Sequence, residues 1–348
     1  MAEPDKQVTL REVAQRAGVS LATASKAINQ RFDVAPATRE RVMRIASEMN
    51  FHANALARSL VWGTSRTIGI VTNDIAGRFV SEIMHGAEIA LGLEDSTVLL
   101  ANSQRNLARE ERLLTGFAER RVDGVIIVDS YMEARPPAHR VGGLPAVYVY
   151  GWSSDPRDIS VIPDAEAMGR VAAQHLVDIG RRHIVVISGE AGTHPGVFRV
   201  EGARQALATA GVDLGPSSVL FGPWSEQWGW DAIGSFLERG LPVDGVVAGD
   251  DAIARGVIER VLSAGRSVPG DIAVVGQDNR IPLVNGRLPI TSVDMRLAEL
   301  GVTAVRMLLD PTARVPGVTC LAPQLVVRQS TVAGSDLVEP ESLIDAWQ

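Results

Sequence analysis

The stretch VTLREVAQRAGVSLATASKAIN, residues 8–29, decides the reading of this chain. Thr9 precedes a run in which Leu10, Val13, Ala14 and Ala17 share one helical face. Glu12 stands three residues after Thr9, the spacing of a capping box. Gly18 ends this helix, because glycine takes up a left-handed turn at little steric cost. Ser20 is placed to cap a second helix over Leu21–Asn29. A third helix, Pro36–Asn50, has proline near its start and an apolar stripe at Val42, Ile45, Ala46 and Met49. Two short helices about a tight glycine turn, backed by a third, make a helix-turn-helix. In such a unit the second helix enters the major groove. Its outward positions are Leu21, Ala22, Ser25, Lys26 and Asn29. Lys26 offers a donor to guanine O6 or N7, and Leu21 and Ala22 offer apolar contact, for instance to a thymine methyl. Thr9, Ser20, Thr23 and Asn29 suit phosphates, which fix register rather than sequence. The helical pattern alone fits a small bundle with a solvated polar face equally well.

Charge separates the same region from the rest. Residues 1–66 carry ten Lys/Arg and six Asp/Glu, a balance of +4; the remaining 24 basic and 35 acidic residues give −11. Both lysines, Lys6 and Lys26, lie in the basic part. A small basic head on a large acidic body points to an anionic partner for the head alone.

At 348 residues the chain has room for two or three domains with a sizeable core. Its 46% hydrophobic and 22% charged residues are those of a folded globular protein rather than a disordered one. No apolar run reaches the ~18–20 residues of a membrane span. Residues 1–7 are polar and contain no signal-peptide core. The single cysteine, Cys320, excludes an internal disulfide framework and a cysteine-cluster zinc site. The expectation is a cytoplasmic protein with no membrane contact, no cofactor and no metal.

From Thr67 onward apolar strands alternate with amphipathic helices. The strands fall at Thr67–Val71, Thr97–Ala101, Gly124–Asp129, Ala146–Tyr150, Ile184–Ser188, Ser218–Phe221, Gly245–Ala248 and Ile272–Gly276. Helices fall at Phe79–Leu93, Leu107–Arg120, Ala165–Ile179, Val200–Ala210, Trp228–Arg239, Ile253–Ala264 and Leu297–Leu309. This alternation implies α/β architecture with doubly wound parallel sheets, and there are enough units for two. Ligands of such sheets sit beyond the carboxyl ends of the strands. Enzyme motifs are missing: there is no G-x-G-x-x-G after a strand, no G-x-x-x-x-G-K-[ST], no H-E-x-x-H and no G-x-S-x-G. His175 and His183 flank a helix end and read as structural. Asp129, Asp250, Asp251 and Asp278, at strand ends, suit either acid–base work or the binding of hydroxyls. Binding is favoured over catalysis; the alternative is a sugar- or nucleoside-processing enzyme with an appended DNA-binding module.

Residues 8–29 closely resemble the lactose-repressor/galactose-repressor (LacI/GalR) family of bacterial transcription regulators, whose pattern is T-L-x-x-V-A-x-x-A-G-V-S-x-x-T-V-S-R-V-x-N. Residues 38–42 (TRERV) match its third helix and residues 54–60 (NALARSL) its hinge. The likeness continues through 67–71 (TIGIV), 180–189 (GRRHIVVISG), 199–202 (RVEG), 249–256 (GDDAIARG), 268–278 (VPGDIAVVGQD) and 325–331 (LVVRQST). Among the departures from the pattern, Ala24 replaces valine, Lys26 replaces arginine and Ala53 replaces the proline before the hinge. An ammonium is a point charge, so Lys26 reads guanine less sharply than a planar guanidinium fork.

The resemblance implies an all-α helix-turn-helix head (1–53), a hinge helix and linker (54–65), and a periplasmic-binding-protein-like effector and dimerisation domain (66–331). That domain would comprise two doubly wound parallel-sheet subdomains, one of about 66–162 and 292–322, the other of about 163–291 and 323–331. An acidic tail, 332–348, follows; it lacks a heptad run, so a homodimer rather than a tail-linked tetramer is expected. A seven-residue hinge is marginal as an isolated helix, so partner and duplex must stabilise it. Leu60 matches the leucine that wedges into the minor groove, with Ala57 against the groove floor and Arg58 at phosphate. The DNA-binding set is then Thr9, Leu10, Ser20, Leu21, Ala22, Thr23, Ser25, Lys26, Asn29, Asn54, Ala57, Arg58 and Leu60, on double-stranded operator DNA. The effector set carried over from the family is Phe79, Tyr150, Arg199, Trp224, Asp250 and Asp278. Arginine and carboxylates suit vicinal hydroxyls and an aromatic face suits a sugar ring, so a sugar is the favoured effector. A nucleobase or nucleoside stacked on Phe79 and Trp224 comes second. Trp224 is open to a core role, Arg199 to a structural ion pair, and Asp251 reads as the cap of the following helix. Repressor is the family's default.

Overall fold

The computed structural model describes residues 8–28, 33–51, 65–92, 96–138, 143–285 and 287–334. The chain divides into two compact units, residues 1–67 with 121–123, and 68–120 with 124–348. Of the calls above, Asn29, Asn54, Ala57, Arg58, Leu60 and the tail from residue 335 lie outside the described residues.

The first unit holds α1 (Leu10–Arg16), α2 (Leu21–Ile28) and α3 (Pro36–Glu48). The capping box forms as the spacing requires: Thr9 Oγ1 accepts from the Glu12 amide, and Glu12 Oε2 accepts from the Thr9 amide at 2.7 Å. Gly18 adopts φ +63°, the left-handed conformation that turns the chain into α2. Ser20 Oγ accepts from the Thr23 amide at 3.0 Å and caps α2. Val13, Ala14, Ala17, Ala24, Ala27, Val42, Ile45 and Ala46 close a small core, with Leu10, Ile28 and Met49 partly buried against it.

The second unit contains two six-stranded sheets. The first is built from β1 (Thr67–Thr72), β2 (Thr97–Asn102), β3 (Gly124–Val128), β4 (Ala146–Val149), β5 (Ile159–Pro163) and, far along the chain, Gly317–Leu321. Its order runs Gly317–Leu321, β5, β4, β3, β1, β2. The second sheet contains β6 (Ile184–Ser188), β7 (Val219–Phe221), β8 (Gly245–Ala248), β9 (Ala273–Asp278) and β10 (Thr291–Asp294). Naming Gly317–Leu321 β11 and Gln324–Val326 β12, the second order is β12, β10, β9, β8, β6, β7. The two orders correspond strand for strand, so each lobe repeats one wiring plan. The pairs of β3 with β1 and β4, and of β8 with β6 and β9, are parallel; β12 joins β10 antiparallel at the edge.

Three chain passes connect the lobes. The first leads from β5 into the helix Ala165–Asp178, which packs on the second sheet. A second leads from β10 into Leu297–Leu309, which packs on the first sheet, and the third joins β11 to β12. The crossing after Asp294 falls slightly beyond the expected 292. The α/β class with two parallel-sheet subdomains, read from the alternation of apolar runs, is the fold observed.

Three local expectations need correction. The helix expected to begin at Val200 begins at His194, because Thr193 caps it, its Oγ1 accepting from the Gly196 amide at 3.3 Å, with Pro195 in the first turn. The strands β5, β10, β11 and β12 were not expected. β11 alternates partly buried with exposed residues at a sheet edge, and β10 is the polar run Thr-Ser-Val-Asp, so neither carries the continuous apolar signature of an interior strand. Asp250, not Asp251, caps the helix Asp251–Ser263: Asp250 Oδ1 accepts from the Ile253 amide at 2.8 Å.

Candidate functional site

On α2, Leu21, Ala22 and Lys26 are exposed while Ala24 and Ala27 are buried; of the other two positions expected to face outward, Ser25 is half-buried and Asn29 lies outside the described residues. Thr9, Ser20 and Thr23 hydroxyls are engaged in caps, Ser20 Oγ lying 2.8 Å from Thr23 Oγ1. The Lys26 ammonium pairs with the Asp33 carboxylate; both side chains are more than half exposed, so the pair contributes little to stability.

In the second unit a cavity of about 270 Å³ opens between the lobes. It is lined by Phe79, Tyr150, Arg199, Trp224, Asp250 and Asp278, the six positions picked out in the sequence. Tyr150 directly follows β4 and Asp278 ends the corresponding strand β9, and both adopt left-handed backbone, φ +73° and +95°. Backbone strain of this kind persists where the surroundings over-determine it and clusters at functional sites. Phe79, just before the helix Val80–Leu91, packs its ring 4.6 Å from that of Tyr150. Burial pushes the Tyr150 phenol up, and the nearby Asp278 adds to that.

Arg199 is 3% exposed, in the second turn of the helix His194–Thr209. Its Nη2 donates to Asp278 Oδ1 at 2.8 Å, its Nη1 donates to the Gly249 carbonyl, and its guanidinium lies 5.8 Å from the Trp224 ring centroid. Burial opposes the cation, but Asp278 and the other neighbours outweigh it and raise the guanidinium pKa. Arg199 Nε is buried with no hydrogen-bond partner among the described residues. The structural ion pair and the place in the cleft, read as alternatives from the sequence, are combined in one side chain. Trp224 likewise lines the cleft and packs partly buried on the second lobe's core.

Asp250 is buried at the amino end of its helix, with Oδ2 3.7 Å from Arg78 Nη1 of the opposite lobe. Burial, then the Asp278 charge, raise its carboxyl to about 6, against the amide of Ile253 and the Arg78 cation. Asp251 points away from the cleft: it accepts from Ser292 Oγ at 2.6 Å and from the Arg280 amide at 2.7 Å. Asp129, the remaining strand-end acid, is not in the cleft lining. It accepts from Asn73 Nδ2 at 2.8 Å and lies 3.6 Å from Arg135. The family-like closing run acts from behind the floor. Arg328 donates to Asn279 Oδ1 at 2.8 Å and to the Ile290 carbonyl at 2.9 Å, while Thr331 meets His175 Nε2 at 2.8 Å.

Sequence reasoning missed Arg78, Tyr131, Glu133 and Glu190, which also line the cleft. Ser130–Glu133 follows β3 and Glu190 follows β6, so the carboxyl-end rule, applied to every strand, points to them. A second cavity, of about 250 Å³, lies at the other end of the first sheet's strands. Its polar side chains are occupied: Arg314 by the Met307 and Leu308 carbonyls, the Tyr148 hydroxyl by the Ala138 amide, Arg157 by Asp155.

A helix-turn-helix head and a two-lobed, cleft-bearing body in one chain define a DNA-binding transcription regulator with a sensor domain. Residues 9–54 match the bacterial regulatory proteins of the lacI family, and residues 173–331 match the periplasmic binding protein-like domain. The HTH-type transcriptional repressor PurR of Aliivibrio fischeri is 32% identical over 308 residues, 87% of this chain and 91% of that one. Among solved structures, the lac repressor dimer bound to operator and the anti-inducer ONPF is 27% identical, with a TM-score of 0.73 over 94% of this chain and 100% of that one. The complex of the transcriptional regulator CelR with cellobiose is 30% identical, with a TM-score of 0.60 over 93% of this chain and all of that one. The chain belongs to the lacI family of bacterial transcription regulators. Its relatives are named as regulators, and no helix among the described residues is long and apolar enough to cross a membrane.

Proposed function

We propose that the chain binds a near-palindromic operator as a homodimer, through α2 and the hinge segment 54–60, and represses transcription under control of a neutral sugar held in the cleft. One observation carries the effector half of this reading: six side chains from both lobes converge on one cavity around the buried Arg199–Asp278 pair. Asp250 and Asp278 supply acceptors and Arg199 supplies donors for vicinal hydroxyls, while Phe79 and Trp224 offer aromatic faces to the C–H side of a ring. Four lining acids (Glu133, Glu190, Asp250, Asp278) against two bases (Arg78, Arg199) count against an anionic effector. The two aromatic walls also support a planar nucleobase as the second reading. Closure on the effector alters the spacing of the paired hinges; moving a 1:99 equilibrium to 99:1 takes about 5.5 kcal/mol of differential affinity. The buried carboxylates are engaged by a cap, an ion pair and a neighbouring lobe, an arrangement for holding a ligand rather than turning it over. The site of action is the cytoplasm, where the operator is.

The test is a thermal-shift and calorimetric panel of neutral sugars, sugar phosphates, nucleobases and nucleosides, followed by operator binding with and without the hit. A neutral sugar that raises the melting temperature and changes operator affinity supports the reading; a response confined to nucleobases or phosphorylated compounds, or turnover of any of them, overturns it.

Two predictions belong here. Lys26→Ala is expected to relax base preference at one position of each half-site, as read by selection from a randomised duplex pool; an unchanged preference profile removes Lys26 from base reading. The second concerns pH. The Asp250 carboxyl titrates near 6 in the ligand-free protein rather than at its ordinary 3.8. Between about pH 4 and 6 the folded chain therefore holds a proton that the unfolded chain has released, so this group's stability contribution is lost as pH rises through 6. Ligand hydroxyls prefer the ionised acceptor, so effector affinity runs the other way. It falls as pH drops below 6, by up to about tenfold per unit, and Asp250→Asn flattens the profile. Calorimetry from pH 5 to 8 checks both; equal slopes in the two proteins exclude Asp250 as the titrating contact.

A further inference from the structure

The cleft changes character from floor to mouth. Phe79, Tyr150, Arg199, Asp250 and Asp278 are all buried. Tyr131, in the loop after β3, also lines the cavity yet is 53% exposed. It is held in place rather than loose. The Arg105 guanidinium lies over its ring, 4.9 Å from the centroid, and Arg105 is itself fixed by Ser130 Oγ at 3.4 Å and Asp74 at 3.9 Å. A half-exposed ring with a cation over one face offers the other face to whatever enters the mouth. The exposed carboxylates Glu133, on the same loop, and Glu190, on the opposite lobe, line the cavity beside it. An aromatic face bordered by acceptors repeats at the mouth the chemistry of the floor.

We propose that Tyr131 is the platform of an outer saccharide subsite, so that the effector is an oligosaccharide of at least two sugar units, one on the buried floor and the next stacked on Tyr131. The inference rests on the sugar reading above and adds to it the length of the ligand. The outer unit gains ring stacking and hydroxyl contacts to Glu133 and Glu190, while the solvent-facing side of the mouth leaves room for the linkage.

The test uses the full-length protein and defined probes: glucose, galactose and xylose against cellobiose, maltose, lactose and cellotriose, titrated calorimetrically into the wild type, Tyr131→Ala and Tyr131→Phe. The wild type is expected to bind one disaccharide at least about tenfold more tightly than its component monosaccharide. Tyr131→Ala is expected to remove most of that advantage while leaving monosaccharide affinity and the ligand-free melting temperature unchanged, and Tyr131→Phe to retain it. If monosaccharides bind as tightly as disaccharides, or Tyr131→Ala weakens both equally, the outer subsite is wrong and the sugar reading stands. If no saccharide binds and a nucleobase does, both fall.

Discussion

Arg199→Ala is expected to abolish the effector response and to destabilise the body even before ligand is added. The two effects have separate causes. Asp278, buried and paired with Arg199 at 2.8 Å, is left as an uncompensated carboxylate, and removing one partner of a buried pair costs about 3–5 kcal/mol. For a domain of this size that lowers the melting temperature by on the order of 10 °C. Loss of the guanidinium also removes charged donors that a ligand's hydroxyls would meet, worth about 1.5–3 kcal/mol each. The double variant Arg199→Met/Asp278→Asn separates the causes. It keeps the volume and removes the stranded charge, so most of the melting temperature returns, but the ligand-induced shift and the effector's influence on operator binding do not. Recovery of the effector response in the double variant would reduce Arg199 to a structural ion pair.

That experiment bears on why this site was legible in sequence while its surroundings were not. Arg199, Asp278 and Asp250 stand in short runs with fixed spacing to glycines, and Tyr150 ends an apolar run. The family resemblance of those runs is what carried them over; the carboxyl-end rule by itself offered Asp250 and Asp278 only alongside Asp129 and Asp251, which are not in the cleft lining. The head was legible because a capping box, a left-handed glycine and a one-face stripe are decided within a few residues of each other. What failed depended on distant partners. The β11 edge strand is defined by its pairing with β5, more than 150 residues earlier, not by its own composition. Asp250 and Asp251 are equivalent as caps by residue type. Asp251 is drawn off by Ser292 and Arg280 from across the second sheet, and that leaves the cap to Asp250. Tyr131 and Arg105 are 26 residues apart, and nothing periodic links them; their stacking follows from β2 and β3 flanking β1 in one sheet.

Gly169→Ala supplies the other large effect, and its sign is informative. Gly169 lies in the helix Ala165–Asp178, where alanine is intrinsically favoured over glycine by about 0.8–1 kcal/mol. Propensity alone therefore forecasts a more stable protein. Packing forecasts the reverse. A Cβ on Gly169 would fall 1.7 Å from the carbonyl oxygen of Arg199, and one on Gly202 would fall 1.8 Å from the carbonyl of Glu166, so the two helices touch backbone to backbone. Neither obstacle is a flexible side chain, so relief requires the helices to separate. The expected cost is about 1–3 kcal/mol or more, outweighing the propensity gain. The displaced segment carries Arg199, so the 2.8 Å contact to Asp278 is lost with it and effector affinity falls together with stability. Gly86→Ala is the matched control. Its Cβ would fall 1.8 Å from the Ala298 carbonyl, the same kind of clash in the other lobe, between helices that carry none of Arg199, Asp250 or Asp278. The control is expected to lose comparable melting temperature, while its folded fraction loses less effector affinity than Gly169→Ala, because its helix brings to the cleft only Arg78 and Phe79, at its amino end, and none of the buried charged floor. Equal affinity losses in both variants would mean that the α/β scaffold as a whole, rather than the seating of one helix, sets the geometry of the floor.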